Sequence, residues 1–322
     1  MGPRDFVEQQ RRAQAAFFAR PEVMANARPG EGWRLLPGQR SPNLAPSIRA
    51  AMNAYFGPPR NIVWHRHADH GLSSQVCCLN FLGPLATRPA LLAEIVGAAL
   101  GIAPPRMLPV EDGPDGEPWF VGFEWIGLAD YLGEWSAGTA TRGANVTSAD
   151  AIVRFVHEGR IEALLIEWKY TESYGGRKDA KGDKTRIARY GAKAFAPDGP
   201  LRSDLGVTFE DLLWEPFYQL LRQQLLAHAM TRAREQGADR VRVLHISPRG
   251  NGALHNVTSP ALRAFGGDAF KVFAALLTAP SEFLARTTGA VFGPFVVNRN
   301  PGAPPDAWAQ YLVQRYASIL VP

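Results

Sequence analysis

Apolar positions along the chain follow two rhythms, one near 3.6 residues and one of two, and their alternation predicts the elements. Residues 5–28 read as a helical segment, followed by a Gly- and Pro-rich loop and a second helix from Ser47 to Tyr55. The apolar runs Asn61 to Trp64 and Gln75 to Phe81 fit short strands or buried segments equally well. Pro89 to Leu100 reads as a helix stopped by Gly101 and Pro104. A turn-rich insert then leads into a strand at 119–125. Two β-patterned runs follow, 151–156 and 163–170, joined by the polar piece His157-Glu158-Gly159-Arg160, which predicts a hairpin. Beyond a charged loop between Glu172 and Arg189, the strongest helical signal runs from Asp211 to Gln236, with Phe217, Leu220, Leu221 and Leu225 at helical spacing. A strand at 240–247 succeeds it, and the stretch from Ala261 to Pro322 reads as helices broken by Gly and Pro. There is no internal repeat or low-complexity tract.

The hairpin carries the candidate chemistry because side chains alternate across a strand. Glu167 and Lys169 share one face while Trp168 takes the other. A Glu158-Gly159 turn, or a four-residue turn over 157–160, places Asp150 opposite Glu167, their Cβ atoms roughly 5 Å apart. A Gly159-Arg160 turn instead brings Asp150 opposite Lys169 and keeps the same three residues on one face, whereas a three-residue turn breaks the parity. Two carboxylates and an ammonium at the end of the apolar run Leu164-Leu165-Ile166 are expensive to bury without partners. A hard divalent cation with oxygen ligands, Mg²⁺ or Mn²⁺, would relieve the repulsion between the carboxylates.

Asp150, preceded by Thr147-Ser148-Ala149, together with Glu167-Trp168-Lys169 resembles the PD-(D/E)XK nuclease superfamily, the restriction-endonuclease-like fold, over roughly residues 120–250. Ala149 stands where the motif has proline. The stretches 71–86, 131–134, 142–151 and 164–174 are similar to a bacterial branch of that superfamily and extend the likeness over most of the chain. The resemblance implies an α/β fold, a mixed β-sheet flanked by helices in the order αβββαβ, with helical N- and C-terminal additions. The implied division is an N-terminal helical or irregular region, 1–118, a nuclease-like core, 119–250, and a C-terminal helical extension, 251–322. It further implies a metal-dependent nuclease acting on nucleic acid, DNA above RNA, with endonuclease and exonuclease action both open, in which Asp150 and Glu167 hold the ion and Lys169 acts on water or transition state. Many members add an upstream Glu as a metal ligand, for which Glu134 is preferred here over Glu124. Some carry a Gln and a Tyr on the helix near the site, a place that Tyr218, Gln219 and Gln223 could take; Tyr218 with Arg222, and Gln219 with Gln223, stack four residues apart. A nuclease fold that has lost activity and survives as a nucleic-acid-binding module is the alternative, against which the completeness of the triad argues.

Charge supports a polyanionic partner without requiring one. The formal excess is +5, and six basic residues, Arg177, Lys178, Lys181, Lys184, Arg186 and Arg189, stand against Asp179 and Asp183 in the loop after the strand. A flexible basic loop there suits phosphate-backbone contact, as do Arg142 and Asn145 just before Asp150. A homodimer is left open.

A second motif competes. His65, His67, Asp69 and His70 spell HxHxDH, which is similar to the zinc signature of metallo-β-lactamase-type hydrolases. That fold needs further ligands downstream, and His157, His228, His245 and His255 sit in no matching context. The blander expectation is a packed polar segment in which Ser73, Ser74 and Gln75 reach substrate. Cys77 and Cys78, the two cysteines, read as buried small residues of a protein of the reducing cytoplasm. The 46% hydrophobic and 20% charged composition is that of an ordinary globular protein, and the amino terminus has no apolar run long enough for a signal peptide or membrane span.

Overall fold

The computed structural model describes residues 3–23, 25–297 and 306–321. Its centre is the hairpin of β3 (Ala149–His157) and β4 (Arg160–Trp168). Glu158 and Gly159 close it with φ of 49° and 75°, both left-handed, the geometry of a two-residue turn whose twist matches that of the strands. The ladder pairs His157 with Arg160 and Ala151 with Ile166, so the register is the one a Glu158-Gly159 turn dictates.

On the far edge of β4 lies β5 (Arg240–Ser247), parallel to it, and outside that β6 (Phe283–Thr287), parallel again. A parallel pair needs a long crossover. Between β4 and β5 it contains α5 (Phe217–Ala233), which begins just after Pro216 rather than at Asp211. On the other side, β1 (Arg106–Leu108) and β2 (Val121–Trp125) both pair antiparallel with β3, one with each half of it. The chain is thus a mixed six-stranded sheet flanked by helices.

Alternation along the strands divides the core in two. Leu164, Ile166 and Trp168 face a layer built from α1 (Pro3–Phe18), α2 (Arg49–Phe56), α3 (Ser74–Leu82), α4 (Pro89–Leu100), α7 (Thr288–Val296) and α8 (Ala307–Tyr316). The Trp168 ring lies 5.0 Å from Phe81 and 5.6 Å from Phe292. Ala163 and Leu165 face the opposite layer, where α5 presents Phe217, Leu220, Leu221 and Leu225 and α6 (Ala269–Leu276) presents Phe270 and Phe273. Asp150, Glu167 and Lys169 belong to this second face by parity, at the end where the sheet gives out.

Several expectations are refined. The ambiguous run 75–81 is α3, buried all round with Gln75 and Asn80 included, so it shows no amphipathic rhythm. The first helix ends at Phe18, and residues 27–35 form a two-stranded ribbon. Among the described residues the elements of the C-terminal stretch are helical except for β6, a five-residue strand of which only Phe283 is fully buried, leaving little alternation to detect. Residues 180–194 coil into short helical turns rather than a flexible loop. With β1 and β6 included, the sheet draws strands from before 118 and after 251 as well as from between. No helix among the described residues is long and apolar enough to cross a membrane.

Candidate active site

Three carboxylates line up across three neighbouring strands. The ladder from Ala151 against Ile166 sets Asp150 across from Glu167, and the pairs Phe123 with Ala151 and Trp125 with Ala149 set Glu124 across from Asp150. Glu124 has a φ of 51°, a conformation that costs a non-glycine residue free energy and persists only where surroundings hold it. Its carboxylate accepts hydrogen bonds from Gln75 Nε2 at 2.6 Å and Ser148 Oγ at 3.1 Å, with His65 Nε2 at 3.5 Å. Gln75 also accepts the His65 backbone N–H at 2.9 Å, so one α3 side chain fixes both.

Glu167 is held by α5. Gln219 Nε2 donates to its Oε1 at 2.5 Å, Gln223 Nε2 donates to Oε2, and the Lys169 ammonium pairs with Oε1. Asp150 Oδ2 accepts the Trp168 backbone N–H at 2.7 Å, tying it to the neighbouring strand. Lys169 lies one residue past the end of β4, and its own N–H bonds to Ile246 O at 2.9 Å, which keeps the backbone extended and the side chain on the face of Glu167. These groups line a cavity of about 400 Å³, shared with Glu172, Glu215, Lys178 and Arg222.

The electrostatics report a surplus of negative charge. Burial pushes the Asp150 carboxyl well above its usual range, the nearby Glu167 adds to this, and Lys169 offsets only part. Burial likewise raises Glu124, against the influence of His65. For Lys169 burial works downward, but the attraction of Glu167, then of Tyr174 and Asp150, outweighs it and holds the ammonium charged. Such a donor set fits a hard cation: all oxygen, crowded, and carrying more acidic groups than Lys169 can balance. Among the described residues no three His, Cys, Asp or Glu side chains are gathered closely enough to cage a metal unaided. The set therefore suits an ion held by one or two carboxylates with water and phosphate oxygens completing its shell, as is usual for Mg²⁺.

Glu134, preferred at first as the upstream ligand, lies elsewhere. Its carboxylate is consumed by the Thr147 N–H, Thr147 Oγ at 2.6 Å, the Tyr190 hydroxyl, and Arg222 at 3.6 Å, and it lines a neighbouring cleft. Glu124 occupies the position facing Asp150. Arg142 turns inward, paired with Glu111 at 2.9 Å and donating to Phe123 O at 3.0 Å, so its guanidinium is committed to the core. Asn145, Lys181 and Lys184 are exposed, Arg186 and Arg189 half-exposed, and Lys178 pairs with Glu215 at 2.8 Å on the cavity rim. Tyr218 is buried, with the Lys178, Arg186 and Arg222 cations 5.6 to 5.7 Å from its ring.

The zinc reading of HxHxDH is corrected. Arg34 Nε donates to His70 Nε2 at 3.0 Å, occupying the lone pair a metal would need, and burial together with that guanidinium pulls His70 down to about 4. Asp69 lies 3.7 Å from Arg28 and His65 turns away to Glu124, so although the His67 and His70 rings lie 4.6 Å apart the four side chains do not converge on one point. Cys77 and Cys78 are buried and unlinked, burial pushing the Cys77 thiol up to about 12. Sequence reasoning missed His245, which sits in register beside Glu167 on β5, its Nε2 3.3 Å from the Tyr174 hydroxyl. Parallel register across a long crossover leaves no local signal. Ser74 does line the cavity, and Gln75 acts through Glu124.

Neither a comparison with curated proteins nor one with solved structures gives a match. A family model described as Restriction Endonuclease associating with ARP matches residues 11–317, nearly the whole chain. With a mixed sheet flanked by helices and an acidic row at its end, the chain belongs to this restriction-endonuclease-associated family.

Proposed function

We propose that this chain is a metal-dependent nuclease that hydrolyses phosphodiester bonds of nucleic acid, with DNA the polymer, and that it works with Mg²⁺ or Mn²⁺ in a reducing cytoplasm. The observation that carries the reading is the Asp150 and Glu167 pair across the hairpin with the Lys169 ammonium against Glu167.

When bound, a divalent ion would polarise the phosphodiester and activate the attacking water. Asp150 and Glu167 are the residues to hold it, with Glu124 in place beside Asp150. The chain's own groups do the rest. Gln219 and Gln223 orient Glu167 from both oxygens, and the Trp168 N–H orients Asp150, so the acidic groups are set before substrate arrives. Lys169, kept charged by its neighbours, offers a donor to the negative charge that grows on the phosphoryl oxygens.

The test is incubation of the purified protein with plasmid, linear and single-stranded DNA in Mg²⁺ or Mn²⁺ and then in EDTA. Cleavage that requires the ion, and falls on the order of 10²-fold or more in Lys169→Ala and Asp150→Asn, is expected. Undiminished cleavage by both variants would refute the assignment.

A further inference from the structure

Beside the catalytic cavity lies a second cleft, of about 350 Å³, walled by Asn145, Arg189, Tyr218 and Arg222, with Glu134 behind them. Arg222 lines both spaces, so the two are contiguous. The balance of donors and acceptors in the cleft is lopsided. Glu134 is its carboxylate, and both oxygens are taken by Thr147 and Tyr190, with Arg222 Nε near. Against it stand donors with nothing to give to. Arg222 commits only its Nε, to Thr147 Oγ1 at 2.8 Å and toward Glu134, leaving its terminal nitrogens without an acceptor among the described residues. The Arg189 guanidinium has no carboxylate partner among the described residues, only the face of Tyr190 at 6.0 Å. The Tyr218 hydroxyl and the exposed Asn145 amide likewise donate to no described residue. Its neighbour Arg186, by contrast, is satisfied by Asp183 at 3.0 Å.

A half-open space lined by three guanidinium groups, of which Arg186 alone is paired with a carboxylate outside it, together with a hydroxyl and an amide, and whose one carboxylate is already saturated, is complementary to a tetrahedral oxyanion. We propose that this cleft is a phosphate subsite that holds a backbone phosphate of the nucleic-acid strand next to the bond placed over Asp150 and Glu167, with Arg189 and Arg222 as its charged contacts. The proposal rests on the nuclease reading for the identity of the strand, but not on turnover. The cleft positions the polymer, so it sets affinity and register rather than base preference.

Binding of a labelled single-stranded oligonucleotide is measured in EDTA, where a metal-dependent enzyme cannot cut, across a series of salt concentrations. Arg189→Gln is expected to weaken binding on the order of tenfold and to lower the slope of log K against log salt by about 0.7, the loss of one phosphate contact. Asn145→Ala, at an exposed position that cannot disturb folding, should weaken binding severalfold without changing the slope, and Arg202→Gln, outside the cleft, should change neither. Equal effects of Arg189→Gln and Arg202→Gln, no effect of Arg189→Gln, or no binding by the unaltered protein would each overturn the subsite. Tighter binding of AMP than of the oligonucleotide would do so too, by assigning the cleft to a free nucleotide. A protein that binds in this pattern but never cleaves in Mg²⁺ would sink the nuclease reading and leave the subsite standing.

Discussion

Gln219 reaches from α5 to donate its amide to Glu167 Oε1 at 2.5 Å, one helical turn before Gln223 donates to the other oxygen. Lys169 pairs with the same Oε1, so the two amides keep the carboxylate from turning wholly onto the ammonium and hold it facing the cavity. Gln223→Leu removes the partner of Oε2 at nearly the same volume and leaves the carboxylate held only from the Oε1 side, by Gln219 and Lys169. If the proposed chemistry is right, cleavage should fall about 10- to 100-fold, as is usual when a group orienting a metal ligand is lost. The apparent Mg²⁺ requirement should rise in parallel. A titration of cleavage rate against Mg²⁺ for the two proteins checks both; identical curves would show that the glutamines are packing only.

The turn that sets the register is itself open to improvement. Glu158 adopts a left-handed φ of 49° at a position where asparagine is far more at home, and its partner Gly159 already suits the turn. Glu158→Asn should stabilise the protein by about 0.5–1 kcal/mol with no change at the cavity, whereas Gly159→Ala should destabilise it by about as much. Urea unfolding of the three proteins decides the matter.

That same turn explains how much of the fold could be read in advance. The hairpin was legible because a short turn and a period of two put Asp150, Glu167 and Lys169 on one face from local information alone, while which of Glu167 and Lys169 stands opposite Asp150 depended on the turn, which closes at Glu158-Gly159 and makes it Glu167. The long helix and β5 were legible because each is a single strong rhythm. Choosing between Glu124 and Glu134 required knowing that β2 pairs with the lower half of β3 and that Thr147 and Tyr190 capture Glu134, contacts between segments far apart in the chain. The HxHxDH spelling misled for a similar reason: its lone pairs and charges are taken by Arg34 and Arg28, which precede it by more than thirty positions. β6 and His245 owe their places to parallel pairing, which carries no spacing signature.

Arg315 shows what binds the N- and C-terminal helices together. It is almost fully buried without a carboxylate partner among the described residues; its guanidinium instead donates to Gln14 Oε1 at 2.8 Å, Asn43 O at 2.5 Å, the Tyr311 hydroxyl at 2.7 Å and Asn43 Oδ1. The rings of Phe17, Phe18 and Tyr316 lie 5.0 to 5.2 Å away. Arg315→Met keeps the bulk but strands the acceptors on Gln14 and Asn43, and should cost about 3 kcal/mol or more. A lowered urea midpoint with unchanged slope would confirm the loss, and a shift below 1 kcal/mol would show that the acceptors find water instead.

Asp150 links stability to pH in a direction opposite to most carboxylates. Burial first and Glu167 second raise it in the folded state above its ordinary value of 3.8. A group so raised contributes stability in full below the unfolded value, and that contribution drains away as pH climbs through the folded one, because the folded protein must give up a proton it binds more tightly than the open chain does. In EDTA, thermal stability should therefore decline from mildly acidic toward alkaline pH more steeply than in Asp150→Asn, whose amide can still accept the Trp168 N–H but never ionises. At pH 8 the variant should melt on the order of a few degrees above the unaltered protein, and the gap should close near pH 4. Millimolar Mg²⁺ ought to reverse the order at pH 8, since the ion favours the ionised carboxylate and binds only the folded chain. Melting curves at both pH values, with and without Mg²⁺, separate the two forces acting on this residue. A variant less stable than its parent in EDTA at pH 8 would mean that Lys169 compensates the buried charge fully.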